Sequence, residues 1–129
     1  MTEDPIKLVK RDLRELVEAE IKRFIERYGD CEVVDSIHTC YGWSFYVVNN
    51  DVLLHGLPCD VKRKFDLNGN VVIEDITCYV EIDDKHLGWV RVVHTPAKCF
   101  IETNVDEVAI DREARKIVKM AEREAGAGE

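Results

Sequence analysis

The sequence predicts an α+β fold, an antiparallel six- or seven-stranded meander sheet flanked by an N-terminal and a C-terminal helix. Three observations predict it. Helical amphipathic periodicity sits at both ends of the 129-residue chain. Between them, residues 31–102 read as short strand-like runs separated by turn residues. Within that stretch Asn68-Gly69, set between two strand-like runs, is the strongest short-range hairpin signal.

The first helix follows Asp4, a candidate N-cap, with Pro5 at the first helical position. Ile6, Val9, Leu13, Leu16, Val17, Ile21, Phe24, Ile25 and Tyr28 give it a broad apolar face, and Gly29 is placed to end it. The strands expected are Cys31-His38, Trp43-Val48, Val52-His55, Val61-Leu67, Asn70-Ile82, Trp89-Thr95 and Lys98-Glu102. Turns are expected at Tyr41-Gly42, Asn49-Asn50, Asn68-Gly69, Asp83-Asp84 and Pro96-Ala97. Such short connections imply an antiparallel meander, with the first and last strands at its edges. The last helix is expected to be capped by Asn104 with Glu107 as reciprocal partner, and to run through Val105, Val108, Ile110, Ala114, Ile117, Val118 and Ala121. Residues 1–129 read as one domain, with 1–4 and 125–129 frayed.

A two-residue loop at Asn68-Gly69 dictates a register. Leu67 would face Asn70, Phe65 would face Val72, Arg63 would face Glu74, Val61 would face Ile76 and Cys59 would face Cys78. On the other face Lys64 meets Ile73, Lys62 meets Asp75 and Asp60 meets Thr77. The opposite charges of Arg63/Glu74 and Lys62/Asp75 support that pairing.

Composition narrows the function classes. The net charge of -8 argues against nucleic acid as the main partner. The basic groups Lys7, Lys10, Arg11, Arg14 and Lys62 to Lys64 are interleaved with acids and read as solvated or paired charge. No apolar run is long enough for a membrane helix, and Met1 to Pro5 lacks the features of a secretory signal. A cytoplasmic location is expected, in the organism itself or in a host cell. Glutamine is absent and charged residues make up 34% of the chain, a hyperthermophile tendency. Five cysteines run against that tendency, since cysteine is usually depleted too, but intracellular disulfides are common in such organisms. The expected source is a hyperthermophilic archaeon or a virus of one.

The cysteines and histidines show no Cys-x-x-Cys or His-Glu-x-x-His spacing, so neither a metal site nor a cofactor is expected. Cys59/Cys78 is the first disulfide candidate, because the hairpin register sets the two opposite each other; Cys31 with Cys40 is another. A turn at Asn49-Asn50 would set Ser44 opposite His55, a pair without an orienting acid or oxyanion hole. Asp51, Asp60 and Lys62 loosely match the carboxylate-and-lysine pattern of metal-dependent nucleases. Glu74 shares the more apolar face of its strand and needs Arg63 as partner. Tyr46, Tyr79 and Trp89, with His55, are the residues expected to present a binding surface.

The function these signs favour is a small binding module. It would act through a sheet edge or an open sheet face on a protein partner, a second copy of itself, or a small ligand. The alternative is a metal-dependent nuclease using Asp51, Asp60 and Lys62.

Overall fold

The computed structural model describes residues 4–38 and 46–127. Helix α1 spans Pro5–Glu26 and helix α2 spans Glu107–Ala127. Between them lie β1 (Glu32–Val33), β2 (Tyr46–Leu54), β3 (Leu57–Phe65), β4 (Val71–Ile82), β5 (Lys85–His94) and β6 (Cys99–Val105). No helix among the described residues is long and apolar enough to cross a membrane.

The helix boundaries follow from their caps. The Asp4 carboxylate accepts from the Ile6 N–H at 3.0 Å, and Pro5 opens α1. The helix closes at Glu26, short of Gly29, and the Cys31 N–H then donates to the Tyr28 carbonyl. The cap of α2 is Asp106 rather than Asn104. Its Oδ1 accepts from the Ala109 N–H at 3.0 Å, while Asn104 and Val105 still belong to β6. Residues 125–127, expected to fray, are helical.

The six strands lie in the order β1-β6-β5-β4-β3-β2. From β2 to β6 the sheet is the expected antiparallel meander, but β1 joins it parallel to β6. The expected edges therefore change. Cys31-His38 contains one true edge, the two-residue β1. Lys98-Glu102 falls in β6, covered by β1, and the other edge is β2. A chain leaving β1 at one edge must cross the whole sheet to start β2 at the other. Its first step is visible, because the Ile37 N–H donates to Glu102 Oε1 at 2.9 Å.

Six register pairs from Cys59↔Cys78 to Lys64↔Ile73 stand as the hairpin predicts, but the turn does not. Phe65 pairs with Val71, not Val72, and Asp66 closes the strands by donating its N–H to the Asn70 carbonyl. The loop is Leu67-Asn68-Gly69, one residue longer than expected, and a bulge at Val72 restores the register. Asp66 is the cause. Its Oδ1 accepts from the N–H groups of Asn68 and Asn70, both at 2.9 Å, and its carbonyl accepts from Gly69. Those hydrogen bonds favour a type I turn followed by a single left-handed glycine, Gly69 at φ +82°. They also hold the Asp66 carboxyl below its ordinary pKa, the Asn70 N–H first among the causes.

The two-residue turns with positive φ at both positions are His55-Gly56 and Asp83-Asp84. Asn49-Asn50 is not a turn. It lies inside β2 at a bulge, so the two strands expected on either side of it are one.

Cross-strand rows define two faces. Toward the helices lie Val61–Ile76–Val92–Ile101 and Cys59–Cys78–Val90. These residues share one core with Leu13, Val17, Ile21 and Phe24 of α1 and with Ile110 and Ala114 of α2. The two helices run antiparallel and are tied by Arg14–Glu107 (2.7 Å) and Lys10–Asp111 (3.2 Å). Beyond Ala114, α2 is largely solvated, with Ile117 and Met120 exposed. The other face is not uniformly open, since Val93, Ile73 and Asp75 on it are buried.

Two outcomes are expected. A Cβ on Gly88 would lie 2.7 Å from the Asn104 carbonyl oxygen and 2.9 Å from Val17 Cγ1. Gly88→Ala should thus destabilise by about 1–3 kcal/mol in chemical denaturation, through overpacking between β5, β6 and α1. Gly126→Ala, with nothing within 4 Å, should not destabilise. The second concerns pH. Hydrogen bonding to Arg14 holds Glu107 below its ordinary pKa of 4.5. Its contribution is complete above that value and is lost as pH falls through the lower folded-state value. The stability gap between the native chain and Arg14→Ala should be constant near neutral pH and close in acid. It should also narrow with salt, because the pair is exposed.

Candidate functional site

Three regions concentrate chemistry. The first is the face turned away from the helices. One row across it reads Leu53–Pro58 on β2 and β3, then Tyr79–Trp89–Asn104 across β4 to β6. The next row is Asp60–Thr77–Arg91–Glu102. Arg91 crosses from that row to grip Asp75 with two hydrogen bonds, 2.9 and 2.6 Å. The hydrogen bond to Asp75 comes first in raising the Arg91 pKa. A buried carboxylate on a sheet face requires such a bidentate partner, and Arg91 supplies it.

Tyr79 donates its hydroxyl to Asp60 Oδ2 at 2.9 Å and stacks its ring on His86 with centroids 5.3 Å apart. The hydrogen bond to Asp60, and burial after it, raise the Tyr79 pKa. His86 in turn contacts Glu81. Pro58, Cys59, Asp60, Tyr79, Glu81 and His86 line a surface concavity of about 450 Å³.

The second region is β2. Tyr46, Val47, Val48 and Leu53 are all exposed, Leu53 at 73%. Tyr46, Val47, Phe65, Asp66 and Leu67 line a groove of about 720 Å³ at the end of this strand and the β3–β4 turn. Lys62 lies over the Tyr46 ring, its Nζ 4.1 Å from the centroid.

The third is the rim of the helix-side face, the row Arg63–Glu74–His94–Cys99. Arg63 Nε donates to Glu74 Oε2 at 2.7 Å, the partner that Glu74 needs. Tyr28, at the end of α1, packs 5.9 Å from both the His55 and His94 rings, and burial, ahead of the Glu74 charge, raises its pKa. His55 also meets Phe24 edge-on and hydrogen-bonds Arg27. Cys31 is joined to Cys99 by a disulfide, and Cys59 to Cys78 by another.

The residues singled out in the sequence divide among these regions. Tyr79 and Trp89 are cross-strand neighbours on the face away from the helices. Tyr46 has the same facing, three rows further along and on the edge strand. His55 is not with them, because its turn folds against α1. Ser44 lies outside the described residues, and the register that would pair it with His55 is replaced by the His55-Gly56 turn. Asp60 and Lys62 share a face, and the β2 bulge sets the backbone of Asn50-Asp51 opposite Asp60. Cys40 lies outside the described residues, and the partner of Cys31 is Cys99.

Cys59 and Cys78 have Cα atoms 4.0 Å apart, the close spacing of a non-hydrogen-bonded antiparallel pair. A two-residue loop would have made them a hydrogen-bonded pair, and the longer loop with its bulge shifts that alternation. The His94–Cys99 pairing, missed from sequence, was available in the Pro96-Ala97 turn, which sets these residues opposite each other. Cys31 carried no such signal, because it reaches Cys99 across 68 residues.

Comparisons with family models, with curated proteins and with solved structures found no match to this chain.

The disulfides lead to an expected order of stabilities. In the chain-entropy account, closing the 68-residue separation of Cys31–Cys99 is worth about 4 kcal/mol, and the 19-residue separation of Cys59–Cys78 about 3 kcal/mol. Cys31→Ser/Cys99→Ser should therefore lower the denaturant midpoint more than Cys59→Ala/Cys78→Ala, and reduction should lower it most.

Proposed function

We propose that this chain is a small binding module that self-associates, pairing β2 antiparallel with β2 of a second copy. The observation that carries the reading is the edge strand itself. β2 has nine residues, Asp51 is the single charged one among them, and none is proline. Among the described residues no strand lies beyond it. An edge of this length presents backbone N–H and C=O groups ready for strand addition. The bulge at Asn50-Asp51 is a partial guard, and it leaves straight segments on either side.

A second copy is the occupant that fits. A two-fold antiparallel pairing is self-complementary, so one exposed strand satisfies both partners. On a chain of net charge -8, copies repel, and the approach is least opposed where charge is sparse. Val47, Val48 and Leu53 then supply apolar contact across the new pair, extended by Phe65 and Leu67 at the neighbouring turn. An intracellular role in a hyperthermophile fits the composition, since association adds stability at high temperature.

Hydrolysis by Asp51, Asp60 and Lys62 is the weaker reading. The bulge supports it only in setting the backbone of Asn50-Asp51 opposite Asp60. Against it, the Asp60 carboxylate is occupied by the Tyr79 hydroxyl and Lys62 by the Tyr46 ring.

Light scattering at micromolar concentration should give twice the chain mass. Val47→Lys/Leu53→Lys should give the monomer mass, with the isolated fold changed by no more than about 0.5 kcal/mol because both sites are exposed. A native chain that is strictly monomeric, or a double variant that remains dimeric, overturns the assignment of β2.

A further inference from the structure

Cys31, His94 and Cys99 meet where the chain leaving α1 joins the far edge of the sheet. His94 and Cys99 face each other across the β5–β6 turn, and the disulfide brings Cys31 to the same point. One donor atom from each of the three lies within 4.8 Å of the others. His94 Nε2 is 3.8 Å from Cys99 Sγ. All three residues are half-buried, within reach of small solutes. The other disulfide differs in each respect. Cys59 and Cys78 are 1% and 0% exposed, and they lie in an apolar row with no histidine.

We propose that reduction of the Cys31–Cys99 disulfide turns this junction into a divalent-metal site of the zinc type. Two thiolates and the His94 imidazole are the protein ligands, and water fills the fourth position. The donor set is the thiolate and imidazole combination that zinc selects. Tetrahedral zinc with bonds of about 2.3 Å to sulfur and 2.0–2.1 Å to nitrogen sets sulfur and nitrogen about 3.6 Å apart, and two sulfurs about 3.8 Å apart. The His94–Cys99 separation of 3.8 Å is already close to that edge. The main displacement required is the parting of the two sulfurs. Cys31 can supply it, since it sits in the turn before the two-residue β1. His94 is held on its strand opposite Glu74 and against Tyr28, so its ring need not be recruited from solvent.

The exchange balances. A dithiol reductant gives two electrons and two protons to the Cys31–Cys99 bond, forming two protein thiols and becoming a disulfide itself. The metal ion then displaces the two thiol protons into solvent. Either state ties β1 to β6, the oxidised one covalently and the reduced one through the ion. The edge strand and the end of α1 thus stay docked as the redox state changes.

The test uses the full chain, oxidised or treated with a non-chelating phosphine reductant, titrated with Co²⁺ and then Zn²⁺. The expected result is one equivalent bound by the reduced chain only, with a thiolate-to-cobalt charge-transfer band that Zn²⁺ bleaches. Cys31→Ser and Cys99→Ser should abolish the band. His94→Gln should keep the oxidised fold by circular dichroism and weaken the reduced chain's affinity at least tenfold. Cys59→Ala/Cys78→Ala should leave the band intact. Several results overturn the proposal: no band in the reduced chain, equal binding when oxidised, a band that survives Cys31→Ser or His94→Gln unchanged, or a reduced chain that stays unfolded with metal present.

Discussion

The seating of α1 on the sheet is the constraint on which the rest of the structure depends. Leu13, Val17, Ile21 and Phe24 form one stripe, and Val17 descends onto β5 at the single backbone position that lacks a Cβ, Gly88. Close approach of a helix to a strand removes the most apolar surface from water per residue, and that burial is the dominant favourable term in folding. Once α1 is seated there, its far end must deliver Tyr28 and Cys31 to the rim of β5 and β6. Its near half gives α2 a surface for Ile110 and Ala114. The charged pairs between the helices align them but lie in solvent, so they refine an arrangement the apolar stripe already sets.

The sheet resolves a different problem. Five antiparallel strands follow one another by short turns, but β1 docks beside β6 and forces the chain to travel to the opposite edge before the meander begins. Local irregularities absorb the mismatches. The β2 bulge bends the edge strand at Asn50-Asp51, the Val72 bulge cancels the longer loop, and a third bulge near Glu81 accommodates Leu87 in the core. The cost of an edge-to-edge crossing is a strand at the far side with no further strand beyond it among the described residues, and that nine-residue strand carries a single charge.

Polar groups on the two faces serve different ends. Away from the helices, Asp75 with Arg91 and Asp60 with Tyr79 satisfy one another across strands, so a partly buried surface carries charge without orphaned donors. On the helix side, polarity is confined to the rim, where Arg63, Glu74, His94 and the Cys31–Cys99 bridge meet Tyr28. On that side the titratable groups and one of the two disulfides meet at the junction that holds β1, while Cys59–Cys78 lies in an apolar row of the core.

By itself the sequence determined what local chemistry controls. Asp4-Pro5 set the start of α1, and the turns at Asp83-Asp84 and Pro96-Ala97 were legible. Six cross-strand pairs including Arg63 with Glu74 follow from a hairpin at Asn68-Gly69, and they stand although the loop is one residue longer, because the bulge at Val72 cancels the extra residue. It misjudged places where two local signals competed, as when the Asp66 carboxylate captured the backbone and lengthened the turn. Only the tertiary structure decided the parallel docking of β1, the exposure of β2 as an edge, and the meeting of Cys31 with His94 and Cys99. Each of those joins residues far apart in the chain. Their pairing depends on where a helix settles on a sheet, and no short-range spacing encodes that.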